Sequence, residues 1–233
     1  SSSVYVLLPI LAQNFSLGFS QIGFIKAAYT SAMWLLEIPA GILSESLGER
    51  RLLVLGIMGS GIGFFAVSFT EGYYGILLAL FVAGCGAAFQ HSLCSSLISK
   101  SFGEPERRIA LGSYNASGDI GKLAFTLVAS LLLGIGVCWQ NITLGYGLLA
   151  FAVALTIWIL LSAKRAGKLS AIKLNEIAGG KHWGIKDKLG FTNLAAIVFL
   201  DSLIQSGFLV FITFVMIEKQ VSTGLVVFAV AAT

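Results

Sequence analysis

Charge is scarce in this chain. Only 11% of its 233 residues are Asp, Glu, Lys or Arg, against roughly 25% in soluble domains. Hydrophobic residues make up 57%, and mean hydropathy is +0.90. This balance excludes an ordinary water-soluble enzyme. Cysteine and histidine are rare too, with 3 and 2 copies. Cys85 and Cys94 fall on one predicted helix about 13 Å apart along its axis, too far for a disulfide, and Cys138 stands alone. His91 and Cys94 share a helical face, but two ligands do not make a zinc site, so neither metal nor cofactor is expected. The chain lacks a His-Glu-x-x-His run and a Gly-x-Ser-x-Gly elbow, which argues against an intramembrane enzyme. No basic patch is interleaved with aromatics, so nucleic acid is not an expected partner.

Apolar runs are abundant. A bilayer core needs about 20 apolar residues per helix. Six runs approach or exceed that length, approximately 21–43, 52–70, 73–98, 109–134, 142–163 and 191–216. A shorter run at 4–16 precedes them, and another opens near Ser222. The sequence reads as an all-α polytopic membrane protein that starts and stops inside helices, as a fragment or trimmed chain does. Ser1, Ser2 and Ser3 read as a trimmed end or tag remnant, and no signal peptide is visible.

Basic residues set the expected orientation. Arg50, Arg51, Lys100, Arg107 and Arg108 lie in one set of loops, with Lys164, Arg165, Lys168, Lys173, Lys181, Lys186 and Lys188 in the next loop on that side. The opposite loops offer only Lys219. The basic side is expected to be cytoplasmic, and this asymmetry accounts for the +4 net charge. Between Ser162 and Phe191 the chain is polar and lysine-rich, and structureless loops beyond ~12–15 residues are uncommon inside compact domains. The division expected is a six-helix bundle at 1–163, a cytoplasmic interdomain linker at 164–190 and the start of a second bundle at 191–233. The linker lysines can meet anionic lipid. Sequons at Asn14 and Asn141 hug the membrane and read as chance matches.

A few polar residues recur on single helical faces inside the apolar runs. Asn115, Asp119, Lys122 and Thr126 follow i, i+4, i+7, i+11 spacing. A charge at bilayer depth costs at least ~2.5–3.5 kcal/mol, so such residues face protein or a watery cavity. Asp119 and Lys122 read either as an internal ion pair or as a working site. On the second helix Lys26, Thr30, Met33 and Glu37 share a face. Lys26 is expected to snorkel to the outer headgroups, and Glu37 to serve either coupling or gating. The fourth helix offers Gln90 and His91, followed by Cys94 and Ser95; His91 reads as a packing residue or a proton carrier. Asp201 and Gln205 share a face of the seventh helix, with Asp201 near the midplane. The expected cavity set is Asp119, Lys122, Asp201, Asn115, Gln205, Gln90 and His91.

The loop between the second and third helices reads Gly41-Ile42-Leu43-Ser44-Glu45-Ser46-Leu47-Gly48-Glu49-Arg50-Arg51. It resembles the loop motif of the major facilitator superfamily, Gly-x-Leu-Ala-Asp-Arg-x-Gly-Arg-Lys. The preceding Glu37-Ile38-Pro39-Ala40-Gly41 is similar to the Glu-x-Pro-x-Gly of many bacterial members. The resemblance implies a facilitator-type bundle. Its first, fourth and seventh helices line a central cavity, and its second and fifth stand at the sides. It assigns Glu37, Pro39, Gly41, Glu45, Gly48 and Arg50 to a gating turn that helps latch the two halves outward-facing. Glu45 replaces the usual Asp and Glu49 stands where the family prefers a base, which leaves the latch geometry open. Gly84-Cys85-Gly86-Ala87-Ala88 is similar to a second motif, but Leu80 occupies the position of the Arg in drug/proton antiporters. The fifth helix lacks their Gly-Pro pair; its Gly112, Gly118 and Gly121 are expected to allow close packing instead. Ala88-Phe89-Gln90-His91 is faintly similar to fosmidomycin-resistance relatives.

The function expected is a secondary active transporter moving a small solute, a metabolite or a drug, by alternating access with proton coupling, efflux included. The alternative is a transporter-fold receptor or membrane assembly subunit without flux. A monomer in the bacterial inner membrane is expected, with solute, protons and bilayer lipid as its partners.

Overall fold

Helices follow from the solvent this composition requires. With no water in the bilayer core, each backbone N–H and C=O must be satisfied within the protein, which a helix does inside its own segment. The computed structural model describes residues 2–163 continuously, together with residues 189, 192, 193, 196, 197, 200, 211, 215 and 219. The continuous part forms α1 (Ser2–Asn14), α2 (Phe19–Leu47), α3 (Glu49–Val67), α4 (Tyr73–Ser101), α5 (Glu104–Gly134) and α6 (Trp139–Ala163). Among the described residues, α3, α4, α5 and α6 are long and apolar enough to cross a membrane. The 29 residues of α2 reach about 43 Å at 1.5 Å per residue. The seventh span, the linker at 164–190 and the run after Ser222 lie outside the described residues, apart from the isolated positions just named.

Helix ends differ from the apolar runs where a polar first turn is helical. α5 begins at Glu104, ahead of the run that opens near Ile109, with a Pro in its first turn and Gly103 as its N-cap. Pro suits that position because its missing N–H has no intrahelical partner there. At the start of α2, the Gln21 side chain accepts a hydrogen bond from the Gly18 N–H at 2.9 Å.

Small residues bring α3 against α4. A Cβ on Gly63 would meet the Ala83 side chain at 2.6 Å, and one on Gly56 would meet the Gly86 carbonyl at 2.9 Å. No larger residue fits these positions without moving a helix, and close backbone approach is what drives association where lipid is as apolar as the side chains. The buried Ser60 hydroxyl donates across the same seam to the Ala83 carbonyl at 3.0 Å. α2 packs on the far side of α4, and α6 on α3. Leu8, Leu11, Ile22, Ile25, Phe64, Ile76 and Leu80 fill one half of the core. Leu52, Leu53, Ile57, Leu93 and Ala154 fill the other.

α5 stands apart from this packing. It touches α1, α4 and α6 only lightly. The expectation that Gly112, Gly118 and Gly121 mediate close packing is not met among the described residues, since a Cβ at each would meet nothing within 4 Å.

Candidate functional site

One residue joins α2 to α3. Gly48 has φ +86° and ψ 132°, a conformation that side-chain-bearing residues resist and glycine accepts. Its N–H donates to the Ser44 carbonyl at 3.0 Å, and its carbonyl accepts from the Leu52 N–H at 3.2 Å. Gly48 therefore closes one helix and opens the next.

The two residues after it are each tied to a different helix. Glu49 Oε1 accepts from Lys100 Nζ at 2.7 Å and from Ser96 Oγ at 2.5 Å, both on α4. Arg50 donates Nη2 to the Trp158 carbonyl on α6 at 2.8 Å, and its guanidinium lies 5.1 Å from the Trp158 ring centroid, within cation–π range. Of the expected gating residues, Gly48 and Arg50 meet here. Glu37, Pro39 and Gly41 are exposed along α2, with Glu37 about 16 Å up the axis from Gly48. Pro39 removes one backbone donor inside the helix. Glu45 lies on α2, and its side chain is outside the described residues.

Glu49 belongs to this turn's contacts although the motif comparison sets it aside as a departure. An acidic residue opening a helix is favoured by the helix dipole, and Lys100 ends α4 with the opposite charge. Those two signals existed, but their pairing across 51 positions required the fold.

The expected cavity residues are only partly brought together. Asp119 Oδ1 and Lys122 Nζ form an ion pair at 2.7 Å, with their side chains 70% and 47% exposed. Asn115 is exposed on the same helix. Thr126 is buried and donates to the Lys122 carbonyl at 2.8 Å, so the stripe passes from an open face into the bundle. Gln90 is half-buried on α4; His91 is on α4 with its side chain outside the described residues. Asp201 and Gln205 are outside them altogether. Among the described residues no three His, Cys, Asp or Glu side chains cluster as metal ligands.

Lys26 departs from expectation. It is 7% exposed, with Nζ 5.5 Å from the Tyr29 ring centroid, and so does not snorkel to headgroups. Position along α2 does not by itself fix rotation about its axis. Ile22, Ile25 and Tyr29, at i−4, i−1 and i+3, are all buried, and Lys26 turns inward with them.

The family model described as Major Facilitator Superfamily matches residues 1–233. The chain belongs to this superfamily. It is accordingly a multi-pass membrane protein of the facilitator fold, and α1–α6 are helices of that bundle. Within the superfamily it is similar to a putative glycerol-3-phosphate transporter 5 of Arabidopsis thaliana, 24% identical over 84% of this chain and 41% of that protein. It is also similar to a probable L-galactonate transporter of Escherichia coli, at 22% identity over 82% of this chain and 42% of the relative. The drug efflux pump JefA of Mycobacterium tuberculosis matches at 27% identity over 60% of this chain and 28% of its own length. The chain thus spans less than half the length of each of these curated relatives.

Proposed function

We propose that this superfamily member is part of a secondary transporter that moves a small solute by alternating access, coupled to protons, with Asp119 and Lys122 in the wall of its cavity. The observation that carries the reading is the ion pair on an α5 helix whose Gly112, Gly118 and Gly121 would bring a Cβ within 4 Å of no described atom. Charges are retained at bilayer depth where they meet protein or water, and small residues where another helix approaches closely. A second bundle at 191–233, reached through a cytoplasmic linker at 164–190, meets both needs when it packs against α5. Asp201 and Gln205 then face the cavity from that bundle, with Asn115, Gln90 and His91 from this one.

The chemistry follows from the pair. A proton or a cationic solute that neutralises Asp119 releases Lys122, and an anionic solute competes for Lys122; either exchange gives the cavity two charge arrangements. The gating turn at Gly48 and Arg50, with Glu37, Pro39, Gly41 and Glu45 leading into it, sits at the cytoplasmic end and governs the exchange of states rather than solute choice. Relatives named for glycerol-3-phosphate, L-galactonate and drugs support a panel of polar metabolites and drugs as candidate solutes.

The test is the full-length protein in proteoliposomes carrying an internal pH indicator, screened against that panel. Solute-dependent proton movement is the result expected. Saturable solute binding with no flux of solute or protons overturns the transporter reading in favour of a receptor.

A further inference from the structure

An apolar groove runs between α3 and α6 on the side away from α4. Its volume is about 470 Å³, within the range of ligand pockets generally. Arg51 stands at one end; Leu55, Met58, Phe151, Leu155 and Trp158 line the rest. From Arg51 to Met58 along α3 the groove runs roughly 10 Å, from the Gly48 end of the bundle toward the bilayer middle.

We infer that this groove is a binding site for one anionic phospholipid of the leaflet at the Gly48 end, its acyl chain in the groove and its phosphate on Arg51. Three observations carry it. First, Leu55 (57% exposed), Leu155 (61%) and Trp158 (44%) leave the groove open on a surface whose neighbours, Ile62 and Ile159, are also exposed, so hydrocarbon surrounds it in a membrane. Second, among the described residues the only charged side chain in the lining is the exposed Arg51, which gives the site a cationic head and an apolar body. Third, the groove is built rather than incidental. Arg50 holds Trp158 by its backbone carbonyl and its ring, while Gly61 of α3 and Gly147 of α6 let the two helices close just past the end of the groove opposite Arg51. Trp side chains suit the depth where hydrocarbon meets headgroup, and a basic side chain at that depth attracts anionic lipid.

The test uses the full chain in nanodiscs of phosphatidylcholine containing a minor fraction of lipid with brominated acyl chains, which quench nearby tryptophan. The Trp158 signal is taken as the difference between the protein and Trp158→Phe. Brominated phosphatidylglycerol is expected to quench Trp158 with a roughly fivefold greater apparent affinity than brominated phosphatidylcholine. Arg51→Gln removes the preference and Arg51→Lys keeps most of it. Equal quenching by the two lipids overturns the site, as does a preference that survives Arg51→Gln. Should Trp158→Phe fail to reconstitute, native mass spectrometry of the protein and Arg51→Gln counts the retained phosphatidylglycerol, and an unchanged count overturns the site too. None of these readouts depends on transport.

Discussion

Glu49 and Lys100 meet at 2.7 Å, tying the first residue of α3 to the last turn of α4. Ser96 adds a hydroxyl to the same carboxylate oxygen. Where the superfamily motif favours a base, this chain has turned the position into an acceptor for its own α4. Glu49→Gln is expected to cost about 1 kcal/mol and to lower the unfolding midpoint in detergent. The exchange Glu49→Lys with Lys100→Glu recovers part of the loss. A single variant as stable as the parent would show that the contact contributes nothing.

Gly48 invites a kinetic prediction. Its φ of +86° makes any side chain there costly, on the order of 1–3 kcal/mol. Because Asp119 stands about 22 Å along α5 from Glu104, the end of that helix that follows Lys100, Gly48→Val is expected to slow turnover while solute affinity stays nearly constant. Loss of affinity with turnover per bound solute intact would move Gly48 from gating to binding.

For Asp119 and Lys122 the informative variant is the double one. Removing one member strands the other charge in the membrane, at several kcal/mol if the second bundle buries it, so Asp119→Asn and Lys122→Met alone should each reduce yield and flux. Together they are expected to restore yield but not transport. Full transport by the double variant leaves the pair with a structural role only.

Two glycines predict opposite failures. Gly63→Val drives a side chain into Ala83 and should abolish folding, since overpacking typically costs 1–3 kcal/mol and more against backbone. Gly118→Val meets no described atom within 4 Å, so the helix should form and the protein should accumulate. Its flux should fall if the second bundle lies against that face. Undiminished flux in Gly118→Val would remove the face from the transport cycle.

Lys26 offers a chemical check. Buried at 7% exposure, it should resist an impermeant amine-modifying reagent under native conditions and become modified after denaturation, as read by peptide mass spectrometry. Prompt native modification would return it to the headgroups.

Much of the bundle was legible because hydropathy run length and helix length are set by the same bilayer: the runs at 73–98 and 142–163 became α4 and α6 with ends shifted by a few residues. Rotation about a helix axis was harder to read. Lys26 turns into the bundle rather than out of it, and the apolar residues that reveal its face are neighbours rather than charges. Contacts between distant segments were not legible at all. Nothing local to Glu49 names Lys100, and nothing local to Arg50 names Trp158. Of the cavity set, the Asp119–Lys122 contact followed directly from i,i+3 spacing, whereas convergence with other helices is a property of packing that spacing does not encode.

The single-residue joint between α2 and α3 also limits how this end of the molecule can move. A longer loop would take up slack when one helix tilts; Gly48 has none to give, and the next two residues are fastened to α4 and α6. A tilt of α2 must therefore be delivered to three other helices at once, as a lever delivers force through a rigid fulcrum. The alternation proposed above is then mechanically cheaper as a swing of the whole block than as the bending of any one helix.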